Sequence, residues 1–400
     1  MFSCNFLSPA KRGILRLTLA FSSFGCIRIA SSVLMLSVSC STLSILHNIT
    51  YIQDMQVKNL AIVLVFGGRS VEHDVSILTG LHAARHVLEG TRVYLVYMDR
   101  DNRFWLAKNL DRLSHRRWCW ARMRDKVDVV LNCCHGGVGE AGELAALLKV
   151  YGIPFTSSEP ESASKMMSKS TTRSVIDGSS LPTISWKSMR DIPQDIVGIS
   201  DILPQIVKPD LLGSSIGVSV IRDVAQFEPA VQLAMSFGRM VVVERFLEGA
   251  VEVNCAAFRC GSEVLTSECE EVSSMSDKLL TFNDKYLGPA PQFKGKSGKV
   301  NTHPLSDKIK ELTRKAYELF GASGIVRCDF LIHEGEIYLN EINSVPGFLS
   351  YHLFLRAGIP YGMLIDMVCR QAISDFRAKQ DFVTEFSSSI LEINRSLVDN

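Results

Sequence analysis

Apolar positions along this chain follow two rhythms. Short unbroken apolar runs are followed by segments in which apolar residues return every three or four positions. That succession of strand and helix is the signature of an α/β architecture. LAIVLVFGG (Leu60–Gly68) is an apolar strand ending in two glycines, and SVEHDVSILTGLHAARHVLE after it has helical spacing. TRVYLVYMD (Thr91–Asp99) and KVDVVLNCCHGG (Lys126–Gly137) predict two further strands. EAGELAALLKVYG predicts an amphipathic helix, and IPFTSS closes the unit. The expectation is an N-terminal parallel-sheet α/β domain over 58–160.

The pattern then changes. ASKMMSKSTTRSVIDGSSLPTISWKS reads as helix, turn and strand, and LPQIVKP as a strand before the loop DLLGSSIGV. RDVAQFEPAVQLAMSFG is helical, and RMVVVERFLEG is a buried strand. These make a small subdomain over 161–250. AVEVNCAAFR and EVLTSECEEV predict an antiparallel pair. The Gly-, Lys- and Ser-rich stretch 273–300 reads as a long loop, and SDKIKELTRKAYELFG as a helix capped by Ser306. Two strands, IVRCDFLIH and EIYLNEIN, complete a last subdomain over 251–375, and the polar tail over 376–400 reads as a helix with a frayed end. No internal repeat is evident.

Composition narrows the class. The 400 residues are 46 % hydrophobic and 21 % charged, an ordinary globular mix. Lys plus Arg is 43 and Asp plus Glu is 42, so nothing points to nucleic acid or another polyanion. The 11 cysteines are odd in number and scattered, which reads as reduced, buried thiols in a cytoplasmic protein. Residues 1–55 differ: they are basic, apolar and Ser-rich. Arg16 and Arg28 split the apolar run, and Ile29–Leu46 is diluted by six Ser and one Thr, weak for a membrane span. A disordered extension, or a working protein that starts at Met55, is favoured over a signal or anchor.

Oxygen-bearing side chains interrupt the last strand pair. Glu341 and Asn343 are two apart and share a strand face. Asp329, on a strand antiparallel to theirs, can point into the same site, with Arg327 beside it on that face. Hard divalent cations take such oxygen ligands, and a same-face cation would serve a developing oxyanion. The alternative is an Arg–carboxylate network that only satisfies itself. Lys208 and Gly213-Ser214-Ser215-Ile216-Gly217 form a phosphate-cradle candidate, against an incidental surface loop. VVVERFLEG suits a strand whose backbone reads an adenine edge near Glu244, against a core strand with a surface Glu. Glu72 lies at a strand-to-helix turn, where it would hold an ammonium or merely favour the helix start. His135 ends a strand before two glycines, and a satisfied core histidine is its default reading.

Taken in order, these stretches resemble the D-alanine–D-alanine ligases of the ATP-grasp superfamily. The likeness covers about residues 60–370. It rests on VFGGRSVEHDVSILTG, HGGVGEAGELAALL, YGIPFTSS, IVKPDLLGSSIGVS, VVERFLEGAVEV, NDKYLGPA, IVRCDFLI and LNEINSVPG. The resemblance implies an ATP-grasp fold and an ATP-dependent ligase. ATP phosphorylates one D-alanine, a second D-alanine attacks the acyl phosphate, and the dipeptide serves peptidoglycan synthesis. It implies Lys165, Lys208, Ser215 and the Ser214 loop on ATP phosphates, Glu244 and Leu247 at adenine, and Glu252 at ribose. Asp329, Glu341 and Asn343 would hold two Mg²⁺ ions, or Mn²⁺. Arg327 and the Gly347 backbone would stabilise the oxyanion. Glu72 and His135 would meet the first D-alanine. Lys285 and Tyr286 match a loop that closes over the site, and Tyr there goes with peptide formation. A homodimer is implied as well.

Three departures stand out. The family has a Ser six residues after the Pro of Asn-x-x-Pro-Gly, contacting the second substrate's carboxylate; here it is His352. Ala141 replaces an acidic residue, and SDKLLTFN replaces an aromatic-rich run before Lys285. They leave open a ligase with another acceptor. A catalytically retired ATP-binding protein is the contrasting reading; retention of Lys208, Asp329, Glu341 and Asn343 argues against it.

Overall fold

The computed structural model describes residues 59–109, 112–192, 203–272, 299–300, 304–381, 383 and 388–390. Residues 1–58 and the Lys285–Tyr286 pair lie outside the described residues.

The first sheet has the order β4-β3-β2-β1-β5, from β1 (Ala61–Gly67), β2 (Arg92–Met98), β3 (Phe104–Asn109), β4 (Arg112–Arg117) and β5 (Val129–Asn132). β1 runs parallel to both β2 and β5. Covered on both faces, β1 reads as an unbroken apolar run. The edge corrects the all-parallel expectation: β3 and β4 form an antiparallel hairpin on β2. The hairpin is rich in Arg and Trp, and its polar edge carries little apolar periodicity.

A second sheet, β6-β9-β7-β8, is antiparallel throughout and holds β6 (Trp186–Met189), β7 (Gln205–Pro209), β8 (Ser219–Ile221) and β9 (Val241–Arg245). Val207, Val241 and Val243 bury against Phe227, Val231 and Ala234 of the helix Phe227–Met235.

The third sheet runs β13-β12-β10-β14-β15, with β11 also on β10. It is built from β10 (Val251–Cys260), β11 (Glu263–Thr266), β12 (Glu270–Val272), β13 (Lys299–Val300), β14 (Val326–His333) and β15 (Glu336–Asn343). Cys255, Ala257, Cys328 and Phe330 pack against Ile309, Leu312 and Tyr317 of the helix Ser306–Leu319. Leu305, not Ser306, occupies the N-cap position of that helix, and Ser306 is its first residue.

The helix Tyr361–Gln380 joins the outer two sheets. Its Leu364, Ile365 and Val368 share one core with Leu64 and Leu131 of the first sheet and Phe258 of the third. It ends at Gln380, inside the polar segment that begins at 376. The eight described cysteines are all unpaired thiols, seven of them buried. Among the described residues, no helix is long and apolar enough to cross a membrane.

Candidate active site

One cavity of about 1200 Å³, open to solvent, gathers residues from all these layers. At one end stands Glu72, in the N-cap position of the helix His73–Ala84. Ser214 Oγ donates a hydrogen bond to Glu72 Oε1. Two glycine loops close on the same carboxylate. A Cβ on Gly136, whose φ is +61°, would sit 2.7 Å from Glu72 Oε2, and one on Gly213 would sit 3.2 Å from it. At Gly136 a side chain would displace the carboxylate and strain the backbone, and at Gly213 it would press against the same oxygen.

His135 is buried beside this end. Its Nδ1 lies 2.7 Å from the Val345 carbonyl oxygen and its Nε2 2.7 Å from Thr79 Oγ1. A carbonyl only accepts, so Nδ1 carries the proton and Nε2 accepts from Thr79. Burial lowers the ring's pKa to about 4, against the raising effect of the Val345 bond. Thr79 Oγ1 in turn accepts the Phe348 N–H at 3.2 Å. The histidine is therefore neutral, and it ties the first sheet to the loop after β15.

At the other end the strand pair behaves as its spacing requires. Arg327 pairs with Asn343 and Asp329 with Glu341 across β14 and β15. Arg327 Nε and Nη2 donate to Asp329 Oδ1 and Oδ2 at 2.6 and 2.7 Å. Burial opposes the guanidinium's charge, but Asp329 outweighs it and holds Arg327 above the usual arginine range. Asn343 Nδ2 donates to Asp329 Oδ2 at 3.0 Å. Next in the row across the sheet, Asn254 pairs with both Asp329 and Glu270. Its buried Oδ1 has no hydrogen-bond partner among the described residues.

A bulge follows Asp329, where the register jumps from Glu341 to Leu339. The unpaired residue is Asn340, which the bulge re-aims toward the cavity. Behind it lies a closed ion triad. Glu244 accepts from Arg173 Nε and Lys208 Nζ, each at 2.7 Å. Burial would raise its pKa, but Lys208 and Arg173 together bring it down to about 2.

The chain matches two family models, the D-ala D-ala ligase N-terminus over residues 61–158 and the D-ala D-ala ligase C-terminus over 181–374. It belongs to the D-alanine–D-alanine ligase family. The D-alanine–D-alanine ligase of Nitratiruptor is 32 % identical over 317 residues, 73 % of this chain and 89 % of that protein. That of Sulfurimonas denitrificans is 30 % identical over 319 residues, 74 % of this chain and 90 % of its own. Among solved structures, the Helicobacter pylori D-alanine–D-alanine ligase superposes with a TM-score of 0.61 at 25 % identity. It covers 78 % of this chain and 98 % of its own. The Coxiella burnetii ligase, at 20 % identity, gives 0.68 over 85 % and 100 % and shares the fold. The fold is thus ATP-grasp behind an α/β domain.

Measured against the residues that the ligase resemblance names, the cavity wall holds Glu72, His135, Ser214, Glu252, Arg327, Glu341, Asn343, Gly347 and His352. Asp329 lies directly behind Arg327. Lys208 stands back with Glu244 and reaches the wall through Asn340 Oδ1 at 3.3 Å. Ser215 and Leu247 are not on the wall. One assignment needs correction. Lys165 is exposed and off the wall. The chain breaks helix at Ser168, and Lys169, first residue of the next helix, turns inward instead. Its Nζ donates to the Leu212 carbonyl at 2.6 Å, and burial lowers its pKa. Glu244 is buried rather than a surface residue, with Arg173 and Lys208 each donating to one of its oxygens.

Glu140 lies within HGGVGEAGELAALL but receives no role from the sequence. Its Oε2 accepts the Gly136 N–H at 2.8 Å and its Oε1 the Val345 N–H at 3.0 Å. Burial, then the nearby Glu72, raises its pKa to about 7. Its helical turn, Gly137–Glu140, is too short to announce itself by periodicity.

No described group of three or more His, Cys, Asp or Glu is arranged to hold a metal. The set here is two carboxylates and amides. An all-oxygen set of Asp329, Glu341 and Asn343, with the partnerless Asn254 oxygen alongside, fits a hard cation that also takes phosphate oxygens.

Proposed function

We propose that the protein is an ATP-dependent ligase that joins two D-alanines into D-alanyl-D-alanine through an acyl phosphate. The convergence of the Glu72–Ser214 pair and the Arg327–Asp329–Glu341–Asn343 set on one cavity carries this reading. Relatives named for the same activity, and an ATP complex of the Bacillus anthracis ligase with the same fold, support it.

In this reading Glu72, kept in place by Ser214, holds the ammonium of the first D-alanine. Neutral His135 presents no competing charge to that ammonium and keeps the Val345 carbonyl fixed. Lys169 and Lys208 counter the ATP phosphates, and Glu252 meets the ribose. Asp329, Glu341 and Asn343 hold Mg²⁺, or Mn²⁺, which when bound offsets phosphate charge. Arg327, already fixed by Asp329, and the Gly347 N–H face the oxyanion. Preorganised donors of this kind need no reorganisation as charge develops. The dipeptide would enter peptidoglycan synthesis in the cytoplasm, and the resemblance adds a homodimer.

The test is phosphate release with ATP, Mg²⁺ and D-alanine. Release that tracks dipeptide formation is expected. No release with D-alanine or with any other amino acid would sink the ligase reading. His352 on the cavity wall favours one second reading, a ligase with a different acceptor, which mixed-acceptor assays resolve.

A further inference from the structure

His352 does more than replace a serine. It sits on the helix Tyr351–Arg356 and lines the cavity with Gly347, Arg327 and Asn254. Its Nε2 lies 3.0 Å from Glu270 Oε2. Arg356 Nη1, one turn later on the same helix, donates to Glu270 Oε1 at 3.1 Å. Burial works against ionisation of Glu270, but the His352 bond and the Arg356 charge outweigh it and hold its pKa low. Glu270 is thus a carboxylate with no proton to give, so the proton between it and His352 belongs to Nε2. In the neutral ring, Nδ1 then carries the lone pair. Nδ1 has no hydrogen-bond partner among the described residues.

A carboxylate that fixes the tautomer of an imidazole lining a substrate cavity is the arrangement of a general base. The reaction needs one. A free amino acid arrives as an ammonium, which has no lone pair for attack. We propose that the Glu270–His352 dyad deprotonates the acceptor amino acid; the inference rests on the ligase reading above. His352 Nδ1 takes one proton from the ammonium. The freed lone pair forms the C–N bond at the acyl-phosphate carbon, and the C–O bond to phosphate breaks with its electrons on the phosphate. The departing phosphate takes a second nitrogen proton, leaving the amide N–H, and the imidazolium returns its proton to solvent. Glu270 keeps its charge throughout and stabilises the imidazolium. Among the described residues, the charged groups bonded within this cluster are Glu270 from β12 and Arg356 from the same helix. Glu252 from β10 and Arg327 from β14 line the same cavity.

Steady-state kinetics against pH test this with wild type, His352→Ala, His352→Gln and Glu270→Gln, each checked for folding by thermal melt. A base must be unprotonated, so wild-type kcat/KM for the acceptor falls on the acid side. His352→Ala is expected to lose kcat by about 100-fold, with the acid limb gone and the rate partly restored by added imidazole. Glu270→Gln is expected to lower kcat as well, since no carboxylate then stands behind the imidazolium formed in the step. Should His352→Ala not fold, His352→Gln carries the same expectation. A folded His352 variant with kcat within threefold of wild type overturns the proposal. So does a slower one that keeps the acid limb and is not rescued by imidazole, a result that assigns His352 to positioning alone. Wild type that releases no phosphate with any amino acid overturns the ligase reading together with the dyad, and is thereby told apart from failure of the dyad alone.

Discussion

The Glu140 carboxylate accepts the backbone N–H of Val345 at 3.0 Å, across 205 residues of sequence. With its second oxygen on Gly136 N, it staples the turn after β5 to the loop after β15. The first turn borders Glu72, and the second follows Asn343 and carries Gly347. Glu140→Ala leaves two N–H donors without their acceptor. A stability loss of about 2–3 kcal/mol is expected, with a drop in ligase activity, read by urea denaturation and phosphate release.

The same residue sets a pH dependence. Its folded pKa of about 7 stands above the ordinary value of 4.5. Between these values the folded state binds the proton more tightly than the unfolded one. Stability therefore falls as pH rises from about 4.5 to about 7 through this group. Glu140→Gln should flatten that slope in denaturation midpoints measured across this range.

His135 works in the opposite sense. Its folded pKa of about 4 is below the ordinary 6.5, so the unfolded chain takes up a proton first as pH falls. Stability is complete above 6.5 and declines toward 4. His135→Asn should remove this acid-side loss. An unchanged acid-side slope in the variant would contradict the buried neutral ring.

Glu244 is the single anion between Arg173 and Lys208 in their triad. Glu244→Gln leaves two buried cations without it. Breaking a buried pair in this way costs about 3–5 kcal/mol, enough to lower the melting temperature by many degrees.

Lys165 and Lys169 are separated by one change each. Lys169→Ala should weaken ATP binding by roughly tenfold or more, because a fixed charge on phosphate is lost. Lys165→Ala should stay within about twofold, as expected of an exposed side chain away from the site. Equal losses would restore Lys165 to the role that the resemblance implies.

Much of this site can be read along the chain. The alternation Arg327, Asp329 and Glu341, Asn343 puts four side chains on one face whatever surrounds them, because strand period and antiparallel pairing are local rules. The glycines beside Glu72 are legible for a similar reason, since close approach and positive φ select them. Element order followed from apolar periodicity, apart from the Arg- and Trp-rich hairpin β3–β4.

Other features belong to the tertiary structure. Nothing in the run Lys165 to Lys169 says which lysine turns inward; the helix break at Ser168 and the Leu212 carbonyl 43 residues away decide it. Glu244 looks like a strand-end carboxylate until Arg173 and Lys208 arrive from other elements. Glu140 and Val345, like His352 and Glu270, meet across 205 and 82 residues. Periodicity reports which face of an element a residue occupies, whereas the partner that face receives is set by packing between distant segments. The sequence alone therefore determined the family resemblance, the strand pair and its row of oxygen-bearing side chains; packing decided which lysine, which carboxylate and which histidine reach the cavity.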